Sequence, residues 1–113
     1  AYHIEELTQE LTEKALAVFK DIEANGGFLK QLKEGTIQRK IKESALKEQT
    51  LFNEGKEVLL GSNKYPNTND KMAGNIERYP FLKHKKLKTL IEPILEKRLA
   101  EPIEKERLQK EEK

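Results

Sequence analysis

Two histidines, His3 and His84, are the side chains of this sequence best suited to acid–base or metal chemistry. Imidazole titrates near neutral pH and is a common metal ligand, so each residue is a candidate. His84 has no acidic residue three or four positions away and belongs to a basic run. We therefore expect neither histidine to ligate a metal, and we expect His3 to be a surface or packing residue.

The carboxylates are numerous, but most stand three or four residues from a lysine, as Glu10 does from Lys14 and Glu43 from Lys47. That spacing is typical of solvated helix faces rather than of paired catalytic acids. The sequence contains no Walker-type phosphate loop, no G-x-G-x-x-G and no G-x-S-x-G. It also has no cysteine, which excludes disulfides and thiolate metal sites. We therefore assign no catalytic, cofactor-binding or metal-binding residue.

One basic segment, residues 83–88 (KHKKLK), follows Tyr79 and Phe81. A phosphate or nucleic-acid contact is conceivable there. However, the 22 basic and 20 acidic side chains are mostly interspersed and give a net charge of +2. Nucleic-acid-binding proteins usually concentrate positive charge on one face. The favoured interpretation is a solvated lysine run or a contact with an acidic partner.

The composition predicts a thin hydrophobic core. Of the 113 residues, 35% are hydrophobic and 37% are charged, against typical values of about 45–50% and 25%. Such a chain suits amphipathic helices laid against a larger body. Because the sequence begins at Ala1 and its single methionine is Met72, we expect a fragment of a longer chain. No apolar run approaches the roughly 20 residues that cross a bilayer, and we expect a cytoplasmic protein without membrane contact.

The periodicity of apolar residues predicts two long amphipathic helices joined by a short helix. Residues 4–24 carry apolar side chains at alternating steps of four and three, and Asn25-Gly26-Gly27 should end that helix. A short helical segment over residues 28–35 follows. Thr36 is predicted to cap a second long helix, which Gly55 should end.

The second half of the chain predicts less regular structure. The run Val58-Leu59-Leu60, bounded by Gly61, predicts one short strand covered on both faces. Residues 61–75 are rich in asparagine and glycine and predict a long loop. Residues 76–82 regain apolar side chains, and Pro80 should hold part of them extended.

The C-terminal residues admit two interpretations, a helix interrupted by prolines or an arm followed by a helix. We favour an arm over residues 89–100 that docks on a partner surface. A helix would then begin near Pro102, with Glu101 as a weak cap. Residues 105–113 carry almost only charge and should fray.

Four blocks of sequence resemble the methylmalonyl-CoA mutase family in their order and spacing. They are Tyr2-His3-Ile4-Glu5-Glu6-Leu7-Thr8, Ile22-Glu23-Ala24-Asn25-Gly26-Gly27, Gly35-Thr36-Ile37-Gln38 and Leu60-Gly61-Ser62-Asn63-Lys64-Tyr65. The resemblance covers residues 1–66. It implies the segment beyond the last strand of a substrate-binding TIM barrel. Residues 99–108 (LAEPIEKERL) are similar to the arm of the small, non-catalytic subunit of two-subunit bacterial mutases.

The resemblance implies a parent enzyme that interconverts methylmalonyl-CoA and succinyl-CoA with adenosylcobalamin, whose radical chemistry belongs to the cofactor. Residues 1–66 would be the helical end of the barrel and the start of a linker. Residues 67–113 would be the linker loop, arm and C-terminal helix leading to the cobalamin-type domain. The implied partner is the large catalytic subunit in a heterodimer, and acyl-CoA would bind only to the parent. The family's D-x-H-x-x-G cofactor motif does not occur here, so the fragment should bind no cofactor.

Two other functions stay open on the sequence alone. A stand-alone helical module would bind a partner protein through its amphipathic faces, and it should be monodisperse and melt cooperatively. A nucleic-acid binder would act through the basic segment with a steep salt dependence. A piece of an enzyme should instead self-associate or unfold readily in isolation, because its apolar faces have lost their cover.

Overall fold

The computed structural model describes residues 1–72, 74 and 79–113, and there the chain is mainly helical, as predicted. Four helices follow one another: α1 is Tyr2–Ala24, α2 is Phe28–Lys33, α3 is Thr36–Asn53 and α4 is Glu101–Glu111. The described residues form no strand, and none of their helices is long and apolar enough to span a bilayer.

The chain divides into two compact units. Unit 1 comprises Ala1–Lys40 and Thr89–Pro93, and unit 2 comprises Ile41–Lys88 and Ile94–Lys113. The division predicted at residue 66 concerns the parts of a parent enzyme, and it stays a prediction.

Helix α1 forms where the apolar periodicity predicts it, beginning two residues earlier. Glu5 lies in its first turn, where the helix dipole favours a negative charge. It ends at Ala24, just before Gly26 and Gly27, which have φ values of 103° and 88° that L side chains rarely adopt. Helix α1 buries none of its residues; Leu11, for example, is 59% exposed. Most of its apolar face is therefore exposed in the described chain, and Ile22 near its end is half-buried.

Unit 1 is built around the junction of α2 and α3. Gly35 (φ 80°) ends α2 through its N–H, which donates to the Leu32 carbonyl, and its own carbonyl accepts the first bond of α3 from Arg39. The predicted Thr36 cap is therefore wrong by one residue, and Gly35 occupies that position. Glycine adopts this φ without strain, so the second helix can follow the first with only Glu34 and Gly35 between them.

Two buried glutamines connect the segments of unit 1. The Gln38 amide nitrogen donates to the carbonyls of Leu32 at 2.9 Å and Glu92 at 2.8 Å. The Gln31 amide donates to the Ile22 carbonyl at 3.2 Å. Gln38 is only 1% exposed, so these bonds form away from water, where leaving an acceptor unpaired is costly. Gln38 thus holds residues 89–93 against the start of α3.

The predicted buried strand at residues 58–60 is wrong. Leu60 forms a single isolated bridge with Lys64, and Val58, Leu59 and Leu60 are all exposed. The chain turns back at once, because the Gly61 N–H donates to the Lys64 carbonyl at 2.8 Å. The Asn63 side chain accepts from the Leu59 N–H at 2.8 Å. A tight turn therefore takes up the backbone groups that a second strand would have paired.

The loop and the arm agree in outline with the sequence. Residues 61–72 and 74 contain no helix or strand, and neither do residues 79–100. The arm is thus irregular rather than helical. The predictions for Ala73 and for residues 75–78 lie outside the described residues.

Helix α4 begins at Glu101, as expected, but Ala100 rather than Glu101 is its N-cap residue. The predicted fraying from residue 105 is wrong, since α4 continues to Glu111. Its last turns are tied to the loop. The Arg107 guanidinium donates to the carbonyls of Asn67 and Asp70, each at 3.1 Å, and the Glu111 carboxylate accepts from the Met72 N–H.

The first turn of α4 carries a shifted carboxyl. A hydrogen bond from Lys105 lowers the pKa of Glu101 below its ordinary 4.5, and a bond from the Leu82 N–H and the charges of Lys105 and Arg98 lower it further. The Lys105 and Glu101 atoms lie 2.6 Å apart. In the next turn, Lys110 lowers the pKa of Glu106 in the same way.

Replacing Gln38 with alanine should destabilise unit 1. Gln38→Ala removes the buried amide that donates to the carbonyls of Leu32 and Glu92, so we expect the free energy of unfolding to fall by about 1–3 kcal/mol. Urea unfolding followed by circular dichroism measures the change. Gln9→Ala is the matched control, because this exposed side chain bonds only to Glu13 in the neighbouring turn. The control should change stability by less than about 0.5 kcal/mol, and an equal effect of both variants would contradict the role given to Gln38.

Acid should weaken α4 through Glu101. A carboxyl whose pKa is lowered by folding stabilises the fold above its unfolded pKa, and that stabilisation is lost as pH falls from near 4.5 through the folded pKa. Amide hydrogen exchange of residues 102–108, measured by NMR between pH 6 and pH 3 and corrected for intrinsic rates, should show α4 opening over that window. Glu101→Gln should remove most of this pH dependence, whereas Glu112→Gln should leave it in place.

Candidate functional site

The two histidines do not come together with other ligands. His3 is exposed on α1, and His84 lies in unit 2 with its Nδ1 4.0 Å from a Glu96 carboxylate oxygen. The spacing of twelve residues gave no signal for this pair, because an irregular chain brings the two together. Among the described residues, no group of three or more His, Cys, Asp or Glu side chains could hold a metal ion.

An open groove in unit 2 contains His84. Its volume is about 410 Å³. The groove is lined by charged, polar and apolar side chains, namely Gln49, Leu82, His84, Glu96, Lys97, Arg98, Glu101, Pro102 and Lys105. This lining includes no serine, threonine or cysteine, so the groove offers no hydroxyl or thiol nucleophile for covalent catalysis.

Arg98 is the central side chain of the groove. One guanidinium nitrogen donates to the Pro80 carbonyl, and the other lies 2.6 Å and 2.8 Å from the two carboxylate oxygens of Glu104. Such charge-assisted bonds are among the stronger ones in proteins. A bound anion would have to displace Glu104 from Arg98, just as it would have to displace Glu101 from Lys105. The paired side chains of the groove therefore stabilise contacts within this chain.

Two aromatic rings connect the groove to the basic segment. The rings of Tyr79 and Phe81 meet edge to face at 5.5 Å. Lys83 Nζ lies 4.0 Å from the centre of the Tyr79 ring, and Lys105 Nζ lies 5.4 Å from the centre of the Phe81 ring. Phe81 is 7% exposed, so it anchors the start of the basic segment beside α4. The other lysines of the segment, Lys85, Lys86 and Lys88, are exposed.

The sequence singled out Tyr79, Phe81 and His84 but not Arg98. This residue is central to the groove because it bonds to Pro80 and Glu104. A signal was present, because arginine is rare in this lysine-rich chain and its planar fork suits bidentate pairing with a carboxylate. The partners Pro80 and Glu104 could not be read from the sequence. Chemically, this arrangement can hold the irregular segment around Pro80 against α4.

Comparison with known proteins gives a consistent result. The family model of methylmalonyl-CoA mutase matches residues 1–109. The probable mitochondrial methylmalonyl-CoA mutase of Caenorhabditis elegans is 46% identical over 65 residues. The methylmalonyl-CoA mutase of Cereibacter sphaeroides is 42% identical, and the large subunit of the Porphyromonas gingivalis enzyme is 34% identical, over the same length.

These alignments cover 58% of this chain and 9% of each relative, so the chain spans about a tenth of the curated relatives that it matches. No solved structure matches it significantly. Because the family model covers nearly all of the sequence, the chain belongs to the methylmalonyl-CoA mutase family.

Proposed function

We propose that this chain is a structural segment of a methylmalonyl-CoA mutase and supports catalysis without performing it. The observation that carries the proposal is α1, a helix of 23 residues that buries none of them. Its large apolar side chains are exposed, namely Ile4, Leu7, Leu11, Leu16, Val18 and Phe19. An amphipathic helix of this kind belongs on a larger body that covers its apolar face.

In the proposed parent that body is the substrate-binding barrel, and α1 is its last outer helix. Successive residues of a helix are about 100° apart, so Ile4, Leu11 and Val18 share one narrow face. Leu16 points about 140° away from Leu11 on the same geometry. Burying a leucine or isoleucine side chain contributes about 1.5–3 kcal/mol. The apolar face would therefore contribute much of the free energy that holds this segment on the barrel.

The proposed activity of the parent is the interconversion of methylmalonyl-CoA and succinyl-CoA with adenosylcobalamin. The residues present do not fit that cofactor. The family's D-x-H-x-x-G motif would need aspartate two residues before a histidine and glycine three residues after it, but leucines occupy both places, 82 and 87, around His84. His84 faces Glu96 instead. We therefore place the cofactor and the acyl-CoA in parts of the enzyme outside this chain.

We further propose that the parent is the small subunit of a two-subunit mutase, located in the cytoplasm and paired with a large catalytic subunit. Support comes from residues 99–108, which resemble the arm of such small subunits, and from α4, which begins within that stretch. The 34% identity to a large subunit over 65 residues supports membership of the family, and the small-subunit proposal rests on residues 99–108 alone.

The alternative is a stand-alone helical module that binds a partner protein through α1. The same exposed face favours it, and the two functions differ in what surrounds the chain. In the mutase proposal, the gene encodes a barrel immediately upstream and a cobalamin-type domain downstream. A gene that encodes only this chain, whose product is a monodisperse monomer with a cooperative melt, would replace the mutase segment with the module.

Charging the apolar face of α1 should destabilise the complete subunit. With its barrel present, Leu11→Asp should lower the free energy of unfolding by about 3 kcal/mol or more, because a carboxylate would be buried against the barrel wall. Leu16→Asp is the matched control, with the same substitution in the same helix on another side, and it should cost less than about 1 kcal/mol. Urea unfolding of both variants measures the difference, and equal losses would show that the barrel does not cover this face.

A further inference from the structure

The end of α1 carries the one Asn-Gly pair of the sequence, Asn25-Gly26. This pair is the most reactive sequence for spontaneous deamidation, because glycine has no Cβ to hinder the attack of its backbone nitrogen on the preceding side-chain amide. Every other asparagine is followed by a residue that has a side chain. Asn25 and Gly26 are both exposed, so water and hydroxide reach the reacting atoms.

The last turn of α1 holds both reacting groups by hydrogen bonds. The Asn25 amide nitrogen donates to the Asp21 carbonyl at 2.8 Å and to an Asp21 carboxylate oxygen at 3.1 Å. The Gly26 N–H donates to the Glu23 carbonyl at 3.3 Å. The Gly26 nitrogen keeps its proton while that bond lasts, and the Asn25 side chain is held toward Asp21. The last turn must therefore open before the two groups can react.

That turn is weakly held. It contains no basic residue, although the helix dipole favours a positive charge at this end. Asp21 and Glu23 place negative charges there instead, and both are exposed. None of the residues of α1 is fully buried, so opening the turn exposes little apolar surface. A helix end of this kind opens locally at a low free energy.

We propose that Asn25 is a site of spontaneous deamidation, which proceeds through opening of the last turn of α1. The Gly26 nitrogen gives its proton to hydroxide and bonds to the side-chain carbonyl carbon of Asn25, and the side-chain nitrogen takes a proton from water and leaves as ammonia. Water then opens the resulting succinimide ring. Breaking the bond from the ring nitrogen to the side-chain carbon gives aspartate, and breaking the bond to the main-chain carbon gives isoaspartate. Nothing is oxidised or reduced.

Either product weakens the end of α1. A carboxylate at position 25 donates no hydrogen bond and is repelled by the Asp21 carboxylate one turn earlier. Isoaspartate also lengthens the backbone by one carbon atom just before Gly26 and Gly27, and the Gly27 N–H donates to the Ile22 carbonyl at 3.0 Å. Deamidation should therefore loosen α1 from α2. The site lies within unit 1 and does not depend on the proposed function.

Ageing of the purified chain at mildly alkaline pH and physiological temperature tests the site. Trypsin cleaves after Lys20 and Lys30 and releases peptide 21–30, in which Asn25 is the one asparagine. Mass spectrometry and labelling with an isoaspartate methyltransferase should find deamidation there sooner than in any other peptide. The reaction in buffer should be at least about tenfold slower than in urea, where the turn stays open. Equal rates in buffer and urea would overturn the proposal. So would an Asn25 that stays intact in buffer while the chain in urea reacts completely.

Charge reversal at the end of α1 tests the opening step. Glu23→Lys supplies the cation that the helix dipole favours, so the deamidation rate in buffer should fall at least about twofold while the rate in urea stays nearly the same. Glu10→Lys is the matched control, because it makes the same charge change in the middle of the helix and should leave the rate in buffer unchanged. Circular dichroism checks that both variants stay helical. Equal falls in the two variants would contradict opening at the helix end.

The variant Asn25→Asp tests the consequence of the reaction. Amide hydrogen exchange at Gly27 should become at least about threefold faster, because the donor to Asp21 is replaced by a repelling charge. Asn53→Asp is the matched control, since it makes the same substitution in the last residue of α3, and it should leave exchange at Gly27 unchanged. Exchange at Gly27 that does not change in Asn25→Asp would show that deamidation does not loosen α1 from α2.

Discussion

A shortage of buried apolar side chains is the constraint on which the rest of this structure depends. In the described chain the buried apolar residues are only Ile37 in unit 1 and Phe52, Phe81 and Ala100 in unit 2. Four such residues bury far too little surface to hold two long helices and an irregular arm by the hydrophobic effect alone. Polar side chains must therefore hold some of these segments together. The large apolar side chains of α1 stay exposed to solvent.

In each unit, a polar side chain connects segments that too few apolar contacts hold together. In unit 1 the Gln38 amide donates to the backbone of Glu92, and in unit 2 the Arg98 guanidinium donates to the backbone of Pro80. Both acceptors are carbonyls in segments that form no helix or strand. A donor from a helix or its flank thus supplies the pairing that a sheet would otherwise provide. Ion pairs such as Arg98 with Glu104 then strengthen the attachment.

This construction fits a supporting role within a larger enzyme. In the groove, Arg98 and Lys105 are already paired with Glu104 and Glu101, and α1 leaves large apolar side chains exposed. The chain belongs to the methylmalonyl-CoA mutase family but spans about a tenth of its relatives.

The sequence by itself determined α1, α2 and α3, because their apolar spacing and the glycines at 26, 27 and 35 act within a few residues. It also located the loop and the start of α4, where Pro102 suits a first turn. Only the tertiary structure decided what depends on distant partners. Residues 58–60 lacked a second strand, α4 persisted because Arg107 and Glu111 bind the loop, and Arg98 found Pro80 and Glu104. Local patterns in the sequence indicate turns and helix faces. Contacts between irregular segments depend on which distant parts of the chain the fold brings close together.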